Sequence, residues 1–119
     1  MPVSSCHCGR VKLEIARAPE TVTDCNCSIC RRYGTLWAYY DPADVRIVEG
    51  EGQTDIYMWG DRIIEFHRCE TCGCVTHWAP ADKSHPRMGV NARLMAPEVL
   101  AAVRMRRLDM AATGKYLDE

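Results

Sequence analysis

Cysteine is the residue whose spacing carries chemistry in this chain. Eight occur in three groups: Cys6-His7-Cys8, Cys25-Asn26-Cys27-Ser28-Ile29-Cys30 and Cys69-Glu70-Thr71-Cys72-Gly73-Cys74. Two residues between thiols let a tight turn aim both sulfurs at one ion, with backbone N–H groups left to donate to them. Gly73, after Cys72, supplies the permissive backbone such a turn uses. One residue between thiols sets both on the same face of an extended segment. Soft thiolates select zinc, or iron in sulfur-rich sites. The pattern predicts metal binding.

The competing use of so many cysteines is a disulfide framework. Met1-Pro2-Val3-Ser4-Ser5 runs into Cys6 with neither a basic n-region nor an apolar h-region, so no export signal is read there. No stretch approaches the roughly 20 apolar residues of a bilayer span. These features predict a cytoplasmic protein away from membranes, where thiols stay reduced. Fifteen Lys+Arg against sixteen Asp+Glu leave a formal charge of -1, which argues against a general nucleic-acid binder. A chain of 119 residues is expected to be one domain, residues 1–119.

Spacing alone leaves the pairing of the groups open. Cys27 and Cys30 with Cys69 and Cys72 would make a ribbon of two knuckles, leaving Cys6, Cys8, Cys25 and Cys74 for a second ion. Alternatively, Cys6 and Cys8 close on Cys69 and Cys72, and the triplet Cys25, Cys27 and Cys30 holds its own ion. The second arrangement keeps each compact group whole, at little loop-closure cost. It also gives a four-thiolate site and a three-thiolate site. Four protein ligands make a closed structural zinc, whereas three leave a position for water or substrate.

The elements that must carry these groups read mostly as strands. Val11, Leu13 and Ile15 alternate with Lys12 and Glu14, the period of a half-buried strand. Thr35–Tyr40 is aromatic-rich and stops at the turn Asp41-Pro42. Asp55–Trp59 stops at Gly60-Asp61, and Ile63–Phe66 leads into the third cysteine group. Arg104, Arg106 and Arg107 suggest a strand with one charged face. Pro97–Ala102 reads as a short helix with Pro in its first turn. The expected fold class is mainly β, folded-over antiparallel sheets with little helix.

Three passages resemble one family: Ser5–Val11, Cys25–Gly34 and Phe66–Gly73 are similar to the glutathione-dependent formaldehyde-activating enzymes. Val90-Asn91-Ala92-Arg93-Leu94 and Arg107-Leu108-Asp109 fit the same pattern. The chain departs from it after Asp109, where Met110 stands in place of the usual glycine. The resemblance implies a β-tent fold like that of the Mss4-like proteins. It implies two zinc ions, one structural at Cys6, Cys8, Cys69 and Cys72, the other catalytic at Cys25, Cys27 and Cys30. The activity implied is that of a carbon–sulfur lyase acting on an adduct of a glutathione-like thiol with an aldehyde such as formaldehyde. The alternative is a non-catalytic zinc module that binds a protein partner; a homodimer fits either reading.

An anionic thiol needs cationic donors in its pocket. Arg31 and Arg32, directly after the triplet, are the first candidates, since guanidinium pairs bidentately with carboxylate. Arg10 and Arg93 are weaker ones. His7 lies between two ligands and points away from their metal by strand alternation. His67, two before Cys69, is placed to support a zinc thiolate, whereas His77 and His85 read as surface residues. Cys74 reads as a small buried hydrophobe, the alternative being a cap on the open zinc. Trp37, Tyr39, Trp59 and Trp78 read as core or pocket wall.

Overall fold

The computed structural model describes residues 2–117 and 119. The chain is mainly β, as expected, with two sheets and little helix. β1 (Val3–Ser5), β2 (Lys12–Ile15) and β5 (Val45–Glu49) make a small antiparallel sheet in the order β1-β2-β5. The larger sheet holds β3 (Thr21–Cys25), β4 (Trp37–Tyr40), β6 (Thr54–Tyr57), β7 (Ile64–Cys69), β8 (Val75–Pro80), β9 (Met88–Asn91), β10 (Arg104–Asp109) and β11 (Lys115–Tyr116). Its order is β11-β10-β3-β4-β9-β8-β7-β6. α1 (Cys30–Tyr33) follows the triplet and α2 (Pro97–Ala101) begins on the expected proline.

One pairing departs from the antiparallel expectation. β10 lies parallel to β3, with Arg104 beside Thr21 and Leu108 beside Cys25. A parallel pair needs a long crossover, and here most of the chain intervenes. That pairing carries the C-terminal residues to the edge of the cysteine triplet, where Asn26 N–H donates to Leu108 O across 3.2 Å.

Strand alternation divides the large sheet into two faces. Val22, Ala38, Tyr40, Met88 and Val90 point one way and pack with Leu13 and Ile15 of the small sheet and Val11 just before it. All three of the latter are wholly buried, which is what their spacing asked for. Trp37, Phe66 and Trp78 point the other way, with Cys25 and Cys30, and form a second cluster. Phe66, Trp78, Gly89 and Tyr39 are register partners in one row across β7, β8, β9 and β4. Gly89 is required there: a Cβ on it would come within 2.1 Å of the Trp78 indole nitrogen.

The same alternation sorts the cysteines. Cys69 lies on the first face, in the cluster with Cys6, and Cys25 on the second. The two candidate centres therefore sit on opposite faces of one sheet.

Candidate metal centres

The sulfurs of Cys6, Cys8, Cys69 and Cys72 lie within 4.8 Å of one another, and those of Cys25, Cys27 and Cys30 do so separately. This is the compact-group pairing; the two-knuckle ribbon of Cys27, Cys30, Cys69 and Cys72 is not formed. All eight cysteines are free.

Two local turns build the first centre. Gly9 and Gly73, both with φ of 82°, close Cys6–Gly9 and Cys69–Gly73 by donating to the carbonyls of Cys6 and Cys69 at 3.1 and 2.9 Å. Only glycine takes that backbone without strain. Backbone N–H groups then face the sulfurs: Val11 donates to Cys6 Sγ at 3.3 Å, Thr71 and Cys72 to Cys69 Sγ at 3.4 and 3.5 Å. Backbone N–H groups of Cys74 and Cys8 hold the Cys72 thiol down to about 5. Cys6–Cys8 and Cys8–Cys69 sulfurs are 3.7 and 3.6 Å apart. A tetrahedron with metal–sulfur distances near 2.3 Å has edges of about 3.8 Å, which these two separations match, so the donor set suits zinc.

Cys74 belongs to this end of the molecule. Its carbonyl accepts from Cys69 N–H at 2.9 Å. The His7 backbone N–H reaches its sulfur, while burial and neighbouring Cys72 push the thiol up. It is half-buried against the first core cluster, rather than the fully buried residue expected, and lies away from the triplet.

The second centre is a loop closing into a helix. Cys30 N–H donates to Cys27 Sγ at 3.3 Å, and α1 ends at Gly34, whose φ of 68° lets its N–H return to Cys30 O. Trp37 Nε1 donates to Cys30 Sγ at 3.3 Å from the next strand. The hydrogen bond from Cys30, with backbone and side-chain donation from Cys27, holds Cys25 down to about 6. Cys30 is pushed up by that same bond and by burial, against the Trp37 N–H. Asn26 ties the loop to the C-terminal hairpin: its Nδ2 donates to Asp109 Oδ1 at 2.9 Å, and its Oδ1 accepts from Ala111 N–H at 2.9 Å. Three soft donors with one direction left free suit zinc of the open kind.

That direction opens on a cavity of about 600 Å³, within the range of small-molecule sites. Its walls include Trp37, Ile64, Phe66 and Trp78, with Trp59 and Ile63 from the β6–β7 turn and Met110 from the β10–β11 turn. β6 and β10 stand near opposite ends of the sheet order, so the sheet curls until its two edges share one cavity. The aromatic residues taken as core or wall all lie here.

The cationic lining was not anticipated. Arg87 lies on the cavity, its guanidinium 3.7 Å from the Tyr39 ring centroid. His85, read as a surface residue, lines the same cavity. Arg31 and Arg32 are on exposed turns of α1 and do not line it; Arg32 Nη1 instead donates to Ser28 O at 2.7 Å. Arg93 Nε donates to Gly34 O at 2.6 Å and so braces the end of α1. No spacing signal marks Arg87, because register alone brings β9 beside Tyr39.

His67 does not serve a zinc thiolate. Its Nδ1 meets Thr54 Oγ1 at 2.7 Å, and its ring stacks on His77 with centroids 4.3 Å apart. His77 is buried on the sheet's first face, bonded to Thr76 Oγ1 at 2.8 Å, rather than lying on the surface.

Fold and site together define a mainly β protein with two cysteine clusters suited to metal ions, one enclosed and one facing a cavity. Residues 1–106 match the family described as glutathione-dependent formaldehyde-activating enzyme, and the chain belongs to it. A solved structure of a Rhodobacter sphaeroides protein is similar, with 30% identity and a TM-score of 0.70, covering 87% of this chain and 98% of that one. No described helix is long and apolar enough to cross a membrane.

Proposed function

We propose that the chain acts as a single unit, a carbon–sulfur lyase that makes and breaks adducts of a small anionic thiol with an aldehyde. Family membership supports the reaction class. The observation that carries it is the contrast between the centres: one set of four sulfurs is complete, whereas the set of three faces a 600 Å³ cavity. A zinc module that only scaffolds a partner surface has no use for that cavity.

In the forward direction the thiol sulfur adds to the aldehyde carbon, and the thiol proton ends on the former carbonyl oxygen. The reverse breaks the carbon–sulfur bond and restores both. Cys25, Cys27 and Cys30 would hold the catalytic zinc, and Cys6, Cys8, Cys69 and Cys72 the structural one. When bound at the triplet, zinc supplies Lewis acidity, which lowers the pKa of a thiol or water and polarises a carbonyl.

The protein's own residues do the rest. Arg87, stacked on Tyr39, offers a carboxylate of the thiol a paired donor; Arg31 and Arg32 add positive field from outside. Trp37 N–H and the Cys30 backbone N–H fix the sulfurs of Cys30 and Cys27. Phe66 and Trp78 keep water from the reacting carbon. His85 is the imidazole on the cavity and would carry the proton; its Nδ1 lies 3.2 Å from Arg87 N and 3.3 Å from Arg87 O, which fixes the ring against the backbone.

Magnetisation-exchange NMR on a preformed glutathione–formaldehyde adduct tests this. Zinc-replete protein should accelerate adduct exchange above the buffer rate, and acceleration should vanish after chelation. Exchange at the buffer rate with fully loaded protein, both for this adduct and for that of glutathione with an aromatic aldehyde, sinks the reading.

A further inference from the structure

We infer that the aldehyde-derived half of the adduct is a bulky apolar group, aromatic or branched, rather than a one-carbon unit. The inference rests on the thiol–aldehyde reading above and names its substrate class. Three large apolar side chains rim the cavity while still open to solvent: Trp59, Ile63 and Met110 are 47%, 60% and 52% exposed. They come from two hairpins at opposite ends of the large sheet, so chain proximity does not account for their meeting. The β6–β7 turn that presents Trp59 and Ile63 is held in a specific shape. Arg62 takes a left-handed φ of 58° beside Gly60 at 63°, and its N–H donates to Trp59 O at 3.1 Å. A non-glycine residue in that region is uncommon and signals a shape the surroundings enforce.

Water against these side chains costs free energy that an apolar ligand would recover. A formaldehyde-derived hydroxymethyl group is too small to cover them. The thiol half does not suit them either, because a peptide-like thiol is a chain of charged and amide groups that lose by leaving water unpaired. Its partners are the donors of the lining, Arg87 and His85. The lining thus offers an anionic thiol its donors at Arg87 and His85 and an apolar group the rim of Trp59, Ile63 and Met110, with the three sulfurs on the same cavity.

Stable thioethers test the division without turnover. All three tryptophans of the chain line the cavity, so intrinsic fluorescence reports occupancy directly. S-benzylglutathione should bind at least about tenfold more tightly than S-methylglutathione, the least a hydrophobic pocket gives for one added methylene. Ile63→Ser and Met110→Ser, both at exposed positions, should each lower S-benzylglutathione affinity by more than S-methylglutathione affinity and so reduce that ratio. Equal affinities, or a ratio untouched by both substitutions, overturn the inference. If they are equal while the formaldehyde adduct still turns over, only the apolar assignment falls. If neither thioether binds and no adduct turns over, the thiol–aldehyde reading falls with it.

Discussion

Trp37 Nε1 donates to the Cys30 sulfur across 3.3 Å inside the second core cluster. An indole N–H has no acceptor capacity, so it favours the thiolate over the thiol and orients it from a strand rather than from the loop itself. Trp37→Phe keeps an aromatic ring there and removes the donor. Outer partners of metal ligands are worth about 10–100-fold in metal affinity. Chelator competition should therefore show the triplet's ion released about that much more readily, with the four-sulfur centre unchanged. Equal weakening of both centres would mean a general loss of packing instead.

The four-sulfur centre joins β1 and β2 to the end of β7. Structural zinc contributes roughly 10–16 kcal/mol of apparent binding energy, at or above a domain's usual net stability of about 5–15. Cys69→Ser should unfold the chain, and exhaustive chelation should do the same. Far-UV circular dichroism with parallel zinc analysis checks it. An unchanged spectrum after both ions are gone contradicts the assignment.

Arg87 and the Arg31–Arg32 pair make opposite predictions. Removing a charge-assisted hydrogen bond costs about 1.5–3 kcal/mol, or roughly tenfold to a hundredfold in affinity. Arg87→Gln should raise KM for a carboxylate-bearing thiol by about that factor with kcat little changed. Arg31→Gln and Arg32→Gln, whose side chains are off the cavity, should cause only small changes. Steady-state kinetics on the three variants decides which guanidinium meets the substrate.

Burial pushes the His77 imidazole down to about 3, with the neighbouring His67 and Lys83 charges acting in the same direction. An unfolded imidazole protonates near 6.5. Its contribution to stability is therefore fully present above about pH 6.5 and is lost as pH falls from there toward 3, because the unfolded chain takes up a proton that the folded chain refuses. His77→Phe should show a smaller drop in thermal midpoint than wild type between about pH 7.5 and pH 5. Parallel curves would assign the acid sensitivity elsewhere.

What the sequence disclosed was local. The cysteine turns need only a few residues and a glycine at the right offset, so both groups were readable, and the alternation of Val11, Leu13 and Ile15 marked β2 unaided. β9 was not readable: Gly89 sits in its centre for the sake of the Trp78 indole, which breaks the usual strand signal. The cavity was equally hidden, since its back wall is a row of register partners drawn from four strands. Arg87 and His85 enter the site only through that register. Arg31 and Arg32 follow the triplet along the chain, yet adjacency there is not adjacency to the cavity: on α1 both are exposed and off its lining. The parallel β3–β10 pair follows from a crossover that no local pattern encodes.

The division of labour between the two centres is tested most directly by Cys27→Ser, with zinc content, fold and adduct exchange measured on the same sample. Zinc should fall from two ions per chain to one, the far-UV spectrum should persist, and acceleration of adduct exchange should be lost. Undiminished acceleration in a folded variant that has lost the triplet's ion would contradict the account.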